Sequence, residues 1–184
     1  MDTTTAPSTG FVMRLIGAVS VDPMTFEEVE ADRSATGQAF GVILLSSLGA
    51  AIGARGFGSG SLETMVFITA LATIAWAVWA VITYQIGTTL MREPQTKADV
   101  GELIRTVGFS SAPGMLRVFG VVPAASLPAF AITAVWMLIA MIVAVRQALD
   151  YTSTARAIAV CLLGWTIALG IALTLGLMFG PTVS

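Results

Sequence analysis

Residues 128–180 read PAFAITAVWMLIAMIVAVRQALDYTSTARAIAVCLLGWTIALGIALTLGLMFG, two apolar runs separated by the polar stretch RQALDYTSTAR at residues 146–156. Neither run contains Asp, Glu, Lys or Arg. Each is long enough to supply the roughly 20 apolar residues that cross a bilayer, so the pattern predicts a transmembrane helical hairpin. Its turn carries Arg146 and Arg156, and the positive-inside tendency therefore places the turn in the cytoplasm and the C-terminus on the opposite side.

The composition of the whole chain agrees with a membrane protein. Of its 184 residues, 56% are hydrophobic and 11% are charged, whereas charged residues make up about 25% of a soluble domain. The net charge of -2 gives no basic surface for nucleic acid. There is no histidine, and Cys161 is the only cysteine, which excludes disulfides, zinc sites, His-ligated haem and Ser-His-Asp catalysis. We expect no cofactor other than bound membrane lipid.

The first 33 residues are expected to form a cytoplasmic N-terminal tail with amphipathic helices. Residues 10–21 are apolar apart from Arg14, Ser20 and two glycines, and they suit a helix that lies at the membrane surface. Asp22 and Pro23 then read as an N-cap and first helical residue of a second short helix. On that helix Met24, Phe26 and Val29 are expected to face lipid or protein, and Glu27, Glu28 and Glu30 to face water. No secretory signal pattern is visible, so we expect residue 1 to belong to the mature chain.

The rest of the chain, residues 34–184, is predicted to be a transmembrane domain. Five spans cover roughly residues 35–54, 64–91, 103–122, 127–148 and 153–180. The third is ambiguous because Pro113 interrupts it and Arg117 lies in its outer third. If it crosses, seven of the 9 Lys and Arg residues lie inside, against six if it does not. The predicted fold is therefore all-α: a polytopic five-helix transmembrane bundle preceded by a short amphipathic interfacial helix.

Three pairs of glycines have the small-xxx-small spacing that lets helices approach closely in lipid. They are Gly37 and Gly41, Gly49 and Gly53, and Gly176 and Gly180. We expect them to mediate helix packing.

Polar side chains suggest a second kind of site. Thr83, Gln85 and Thr88 crowd the inner end of the second span, and together with Arg117 they form a candidate polar site. Arg117 is expected to snorkel outward or to pair with an acid such as Glu63. Interhelical hydrogen bonding is the alternative role for the threonines and the glutamine.

Several stretches together resemble the Yip family, membrane proteins named for their interaction with Ypt/Rab GTPases, and its bacterial members in particular. They are DPMTFEEV at residues 22–29, Tyr84 with Gly87, LIRTVGFSSAP at residues 103–113, and the hairpin from Trp136 through Arg146 to Arg156. The residues that carry the likeness are Asp22, Pro23, Phe26, Tyr84, Gly87, Pro113, Trp136, Arg146 and Arg156. The resemblance implies a five-span protein of the bacterial inner (cytoplasmic) membrane with a cytoplasmic N-terminus and a periplasmic or extracellular C-terminus. It implies no active site, and Rab partners are not expected in bacteria.

Three functions are considered. The first is a non-enzymatic scaffold, membrane-organising or accessory subunit that forms a homo-oligomer or joins a larger membrane complex. The second is a small transporter or channel that uses the polar inner end of span two and the proline-broken span three, although no acidic residue lies within a span to relay cations. The third is an enzyme, which we do not expect, because serines such as Ser46, Ser47, Ser110 and Ser111 have no neighbouring base to activate them.

Overall fold

The computed structural model describes residues 10–57 and 62–179 of the chain. Those residues form seven α-helices and no strand. The α-helices are α1 (Phe11–Val19), α2 (Pro23–Ala31), α3 (Ala35–Gly53), α4 (Leu62–Gln85), α5 (Val100–Ser110), α6 (Pro123–Ala148) and α7 (Thr154–Phe179). Two 3-10 helices, Ala54–Phe57 and Ala112–Val121, and one π-helix, Ile86–Leu90, extend or connect them.

The contacts of the glycines define the directions of the helices. Gly108 lies against Ala39, Gly49 against Met115 and Gly53 against Arg117, so α3 runs parallel to α5 and the 3-10 helix that follows it. The other long helices lie antiparallel to their neighbours. Four glycine contacts show this: Gly53 with Phe130, Gly114 with Met137, Gly87 with Leu149 and Gly164 with Trp79. The bundle thus has two ends. We call the end that carries α2, residues 92–99 and residues 149–153 the polar end, and the opposite end, with residues 53–57 and 119–126, the far end.

The long helices have apolar outer surfaces. Their exposed side chains include Leu44 and Leu48 of α3, Val66 and Ile74 of α4, Ile132 and Val135 of α6, and Leu162 and Trp165 of α7. By length and hydropathy, two of the described helices qualify as membrane spans: Ala35–Gly56 and Pro123–Ala148. An apolar belt of this kind suits hydrocarbon better than water. That the chain spans the membrane five times stays a prediction.

The segment predicted as the third span is not one continuous helix. Asp99 and Glu102 form a capping box at the start of α5, which ends after 11 residues at Ser110. A 3-10 helix then begins with Ala112 and Pro113. Proline has no N–H for the hydrogen bonds of an α-helix and disfavours α geometry in the residue before it, so α5 ends here. The interruption predicted at Pro113 is therefore a change from an α-helix to a 3-10 helix.

The helix of the first hairpin arm begins earlier than expected. The sequence predicted a span at residues 127–148, but α6 already begins at Pro123 and contains Pro128. Proline is well tolerated at the first helical position because its missing N–H has no partner there in any case. The hydroxyl of Ser126 donates to the Gly120 carbonyl at 2.7 Å, which fixes the tight connection to the preceding 3-10 helix.

The two short N-terminal helices form a hairpin against the bundle. Gly17 of α1 lies directly against Thr25 of α2, where a side chain on the glycine would clash. Phe26 of α2 is fully buried. The Trp136 indole Nε1–H of α6 donates to the Val19 carbonyl at 2.8 Å and holds the end of α1 against the bundle. The opposite face of α1 exposes Val12, Met13 and Ile16.

Candidate functional site

A buried cluster of charges connects α1, α2 and α3 at the polar end. Arg14 is only 2% exposed. Its Nη2 lies 2.9 Å from Glu28 Oε1 and 2.7 Å from Asp32 Oδ2, and its Nη1 donates to Gln38 Oε1 at 3.1 Å. Hydrogen bonds from Ser34 and Arg14 lower the pKa of Asp32 to about 2. Glu28 was expected to face water. Its side chain retains 34% exposure, and its ion pair with Arg14 turns it toward α1.

A second arginine closes the end of α2. Arg105 of α5 donates from Nε to the Val29 carbonyl at 3.0 Å and also to the Glu30 carbonyl. These carbonyls lie in the last turn of α2, where the helix itself supplies no donor. Burial, followed by the nearby charges of Glu102, Asp150 and Glu27, raises the pKa of Glu30 to about 7, although Arg105 opposes the shift. The carboxyl of Glu30 therefore titrates near neutral pH.

These groups border an open cleft of about 930 Å³ at the polar end, which we call the polar cleft. Its lining comes from α2, residues 94–97, α5 and the end of α6. The charged residues that line it are Glu27, Glu30, Lys97, Glu102, Arg146 and Asp150. Carboxylates outnumber cations in this set, so the polar cleft is acidic.

The turn between α6 and α7 is locked to the end of α4. The Tyr151 hydroxyl lies 2.9 Å from the Gly87 carbonyl and 3.0 Å from the Met91 carbonyl. Gly87 is in contact with Leu149, whose methyl groups leave no room for a Cβ at this position. A side chain at residue 87 would therefore have to displace the Leu149 side chain.

Glu93 and Arg156 complete this lock. Arg156 Nε lies 3.1 Å from Glu93 Oε1, and Glu93 Oε2 accepts hydrogen bonds from the Thr152 backbone N–H at 3.2 Å and hydroxyl at 3.0 Å. The backbone N–H of Thr152 is the main reason that the pKa of Glu93 lies below its ordinary value. Arg156 thus holds the hairpin turn in place, besides marking its orientation.

The i, i+4 spacing of Arg146 and Asp150 predicts an ion pair that holds the end of a helix. This pair does not form among the described residues. α6 ends at Ala148, and Asp150 has a positive φ of 52°, so the two residues do not lie on one helix. Arg146 instead donates from Nε to the Tyr151 carbonyl at 3.3 Å. Asp150 Oδ2 accepts from the Lys97 backbone N–H at 3.3 Å.

The remaining residues of the resemblance support the fold. Asp22 caps α2 by accepting from the Met24 N–H at 3.2 Å, with Pro23 as the first helical residue. Tyr84 packs beside the hydrophobic cluster at the polar end. Pro113, Phe26 and Trp136 have the structural positions described above. None of these residues lines the polar cleft.

The predicted packing glycines divide into two kinds. A Cβ built on Gly49 would lie 2.8 Å from the Met115 carbonyl oxygen, and one on Gly53 would overlap the Arg117 carbonyl oxygen. A Cβ on Gly37 or Gly41 would meet no atom of the described residues within 4 Å. Gly49 and Gly53 therefore pack within the chain, whereas Gly37 and Gly41 present an open surface. Gly176 lies in α7, and Gly180 lies outside the described residues.

The four residues of the candidate polar site do not surround one cavity. Thr83 is fully buried beside Gly164, Gln85 is exposed, and the Thr88 hydroxyl donates to the Tyr84 carbonyl at 2.7 Å. Arg117 lies elsewhere and donates from Nε to Thr133 Oγ1 at 3.2 Å. No ion pair between Arg117 and Glu63 occurs among the described residues.

Two of the four serines considered for catalysis, Ser110 and Ser111, bond to their own helix. Ser110 donates to the Val107 carbonyl at 2.7 Å and Ser111 to the Gly108 carbonyl at 2.6 Å. Back-bonding of this kind satisfies a buried hydroxyl without a neighbouring helix. These hydroxyls therefore support the end of α5.

Comparison with known proteins identifies the family. The family model of the Yip1 domain matches residues 17–176, nearly the whole chain. No curated protein and no solved structure matches the chain. The match includes α2, the broken third segment and the hairpin that carry the resemblance. The chain belongs to the Yip1 domain family.

Proposed function

We propose that the chain is a non-enzymatic, membrane-organising accessory protein that spans the membrane five times and associates with a second copy of itself through one face of α3. That face consists of Gly37, Gly41, Leu44 and Leu48, and we call it the open face. Family membership supports a membrane-associated protein without an enzymatic role. The span number, the orientation and the partner are parts of the proposal.

The arrangement of the helices supports five spans. Parallel α3 and α5 require the chain to return between them, and α4 provides that return. Most cationic residues belong to segments at the polar end: Arg14, Arg33, Arg92, Lys97, Arg105, Arg146 and Arg156. Arg55 and Arg117 belong to segments toward the far end. By the positive-inside tendency, the polar end faces the cytoplasm of a bacterial inner membrane.

The observation that carries the association is the difference between the two glycine pairs of α3. The 3-10 helix Ala112–Val121 already packs against Gly49 and Gly53. No described residue contacts a Cβ position at Gly37 or Gly41. Leu44 and Leu48 extend the open face, with 49% and 43% of their surface exposed. Small residues followed by leucines on a lipid-facing helix let a second helix approach closely.

A second copy is the occupant that suits this face. No Asp, Glu, Lys or Arg occurs at residues 34–54, so two copies meet without like-charge repulsion. A two-fold dimer brings the same patch of both chains together, which requires only that the patch complement itself. Glycines at four-residue spacing satisfy this requirement, because each leaves a groove for the opposing helix.

Cysteine cross-linking in native membranes tests the proposal. Cys161 is fully buried, so an introduced cysteine is the accessible thiol of each variant. Gly41→Cys is expected to give a disulfide-linked dimer on mild oxidation. Ile139→Cys, on the exposed side of α6, is the control at a similar depth, since its neighbour Ala140 packs in the same cluster as Ala39.

The expected result is a covalent dimer from Gly41→Cys and monomer from Ile139→Cys. Equal cross-linking of both variants would indicate random collision, and no cross-linking of Gly41→Cys would remove the proposed dimer. Either outcome contradicts association through the open face.

Transport is the second candidate function, and the break between α5 and the following 3-10 helix favours it. Discontinuous helices mark the substrate sites of many transporters. Flux of candidate solutes into liposomes is the test, with Pro113→Ala and Gln85→Leu as variants. Transport that depends on Pro113 would support this function, and flux unaffected by both substitutions would remove its basis.

A further inference from the structure

A cavity of about 390 Å³ opens between α4, α6 and α7, and we call it the lateral cavity. Three indole rings, those of Trp76, Trp79 and Trp165, contribute to its walls. Met137 and Met141 of α6 supply flexible apolar surface. The cavity therefore has the lining expected for a hydrocarbon chain.

One charged group, Arg117, is among the described residues that line this apolar cavity. Its Nε donates to Thr133 Oγ1 at 3.2 Å, and its guanidinium carbon lies 5.4 Å from the centre of the Phe130 ring. No carboxylate forms an ion pair with it in the part of the chain that the structure describes. A cation at membrane depth without a counter-ion is costly, so an anion beside Arg117 stabilises it.

The fold explains why the arginine reaches this cavity. Gly53 lies against the Arg117 backbone carbonyl, which fixes the 3-10 helix closely on α3. The Arg117 side chain extends instead to Thr133 and Phe130 of α6. From Arg117 to the end of this 3-10 helix at Val121 the rise is about 8 Å, at ~2 Å per residue. The guanidinium is thus within reach of a head group at the far end.

We propose that the lateral cavity binds an acidic phospholipid from the leaflet at the far end, with its phosphate on the Arg117 guanidinium and part of an acyl chain against the three indoles. Arginine matches phosphate by paired hydrogen bonds. The cavity holds the part of one acyl chain that is nearest the head group, and the rest of the lipid stays in the bilayer. The inference rests on the proposed membrane location, but it is independent of the association of two copies.

Quenching of tryptophan fluorescence by brominated lipid measures this binding. The full-length chain is placed in nanodiscs of zwitterionic phosphatidylcholine, and brominated phosphatidylglycerol or brominated phosphatidylcholine is added in increasing amounts. Three of the 4 tryptophans line the cavity, so occupancy quenches most of the signal. Both lipids carry a phosphate, but the choline ammonium of phosphatidylcholine offsets the negative charge at Arg117. We therefore expect the anionic phosphatidylglycerol to bind roughly tenfold more tightly.

Arg117→Gln is expected to abolish the preference for the acidic lipid, and Arg117→Lys to retain part of it. Arg55→Gln, which removes an exposed cation toward the same end, is the matched control and is expected to keep the full preference. If Arg117→Gln does not fold, Ala134→Phe fills the cavity with the charge in place and is expected to abolish the difference in quenching between the two lipids.

Three results with the two phospholipids would overturn the proposal. They are equal quenching of the unchanged protein by both lipids, a preference retained in Arg117→Gln or Ala134→Phe, and a preference lost in Arg55→Gln. A brominated fatty acid that quenches in place of the phospholipid would also overturn it, because the source of the anion would be a free carboxylate. Gly41→Ile is expected to leave the lipid preference unchanged, which separates this proposal from the association of two copies.

Discussion

The two ends of α3 contain the same spacing of glycines in different surroundings. At its far end, Gly49 and Gly53 lie under the backbone of the 3-10 helix. At its polar end, no described residue lies within 4 Å of a Cβ position at Gly37 or Gly41. The nearby contacts at this end are the ion pairs of Arg14 with Glu28 and Asp32. The same small-xxx-small spacing therefore accompanies close packing within the chain at the far end and an uncovered surface at the polar end.

The largest effect is expected at the far end, from Gly53→Leu. The obstructing atom is the Arg117 backbone carbonyl oxygen, which cannot rotate away as a side chain can. Overpacking usually costs about 1–3 kcal/mol, and a clash with backbone should exceed about 3 kcal/mol. We expect little monodisperse protein after extraction in mild detergent. Gly41→Leu is the control, and equal recovery of both variants would contradict the difference between the ends.

The next effect concerns the polar end, where Arg14→Met removes the centre of the charge cluster. Glu28 and Asp32 then lose their ion pairs with Arg14. Breaking a fully buried ion pair in this way costs about 3–5 kcal/mol. Glu28 and Asp32 retain 34% and 26% side-chain exposure, so we expect a loss of about 2 kcal/mol in the free energy of unfolding.

Arg33→Met is the matched control for Arg14→Met, because Arg33 is exposed and lies beside the same cluster. A surface change of this kind costs about 0.5 kcal/mol or less. Thermal unfolding followed by circular dichroism compares the two variants. An equal loss of stability would show that general charge, and not the Arg14 cluster, stabilises the polar end.

A smaller, pH-dependent effect is also expected at the polar end. Burial raises the pKa of Glu30 from 4.5 to about 7, so the folded state holds a proton that the unfolded state has lost. The contribution of Glu30 to stability is complete below pH 4.5 and disappears as the pH rises toward 7. Glu30→Gln should remove this fall in melting temperature, and a fall of the same size in the variant would contradict the assignment.

Asp32 acts in the opposite direction and in a separate range. Its pKa is lowered from 3.8 to about 2, so its contribution is present above pH 3.8 and is lost as the pH falls toward 2. Asp32→Asn should remove that acid-range change and leave the Glu30 range intact. A changed profile between pH 4.5 and 7 in this variant would show that the two carboxyls are coupled.

The smallest effect is expected from Gly41→Ala. Its added methyl group meets no atom within 4 Å, and alanine favours a helix over glycine by up to about 1 kcal/mol in aqueous hosts. The melting temperature of the monomer should stay unchanged or rise slightly. A marked decrease would mean that Gly41 already packs within the chain.

The sequence was sufficient to predict features that depend on local chemistry. The apolar runs predicted the helical hairpin, Asp22 and Pro23 predicted the start of α2, and Pro113 predicted a break. Each signal lies within a few residues of the structure it determines. The family resemblance was confirmed by the match to the Yip1 domain.

Features that depend on distant neighbours were not predictable in the same way. The ion pairs of Arg14 join residues that are 14 and 18 positions apart, and no local pattern indicates them. Arg146 and Asp150 have helical spacing, but the helix ends between them and the expected pair does not form. Likewise, no sequence pattern separates Gly37 and Gly41 from Gly49 and Gly53, because only the position of the 3-10 helix distinguishes them.

Counting copies in the bilayer tests the central claim most directly. The chain, labelled with one fluorophore, is reconstituted at low density in vesicles, and photobleaching steps are counted for the unchanged protein and for the double variant Gly37→Ile and Gly41→Ile. The account predicts two steps for the unchanged protein and one step for a double variant with an unchanged melting profile. One step for the unchanged protein, or two steps that persist in the folded double variant, would contradict association through the open face.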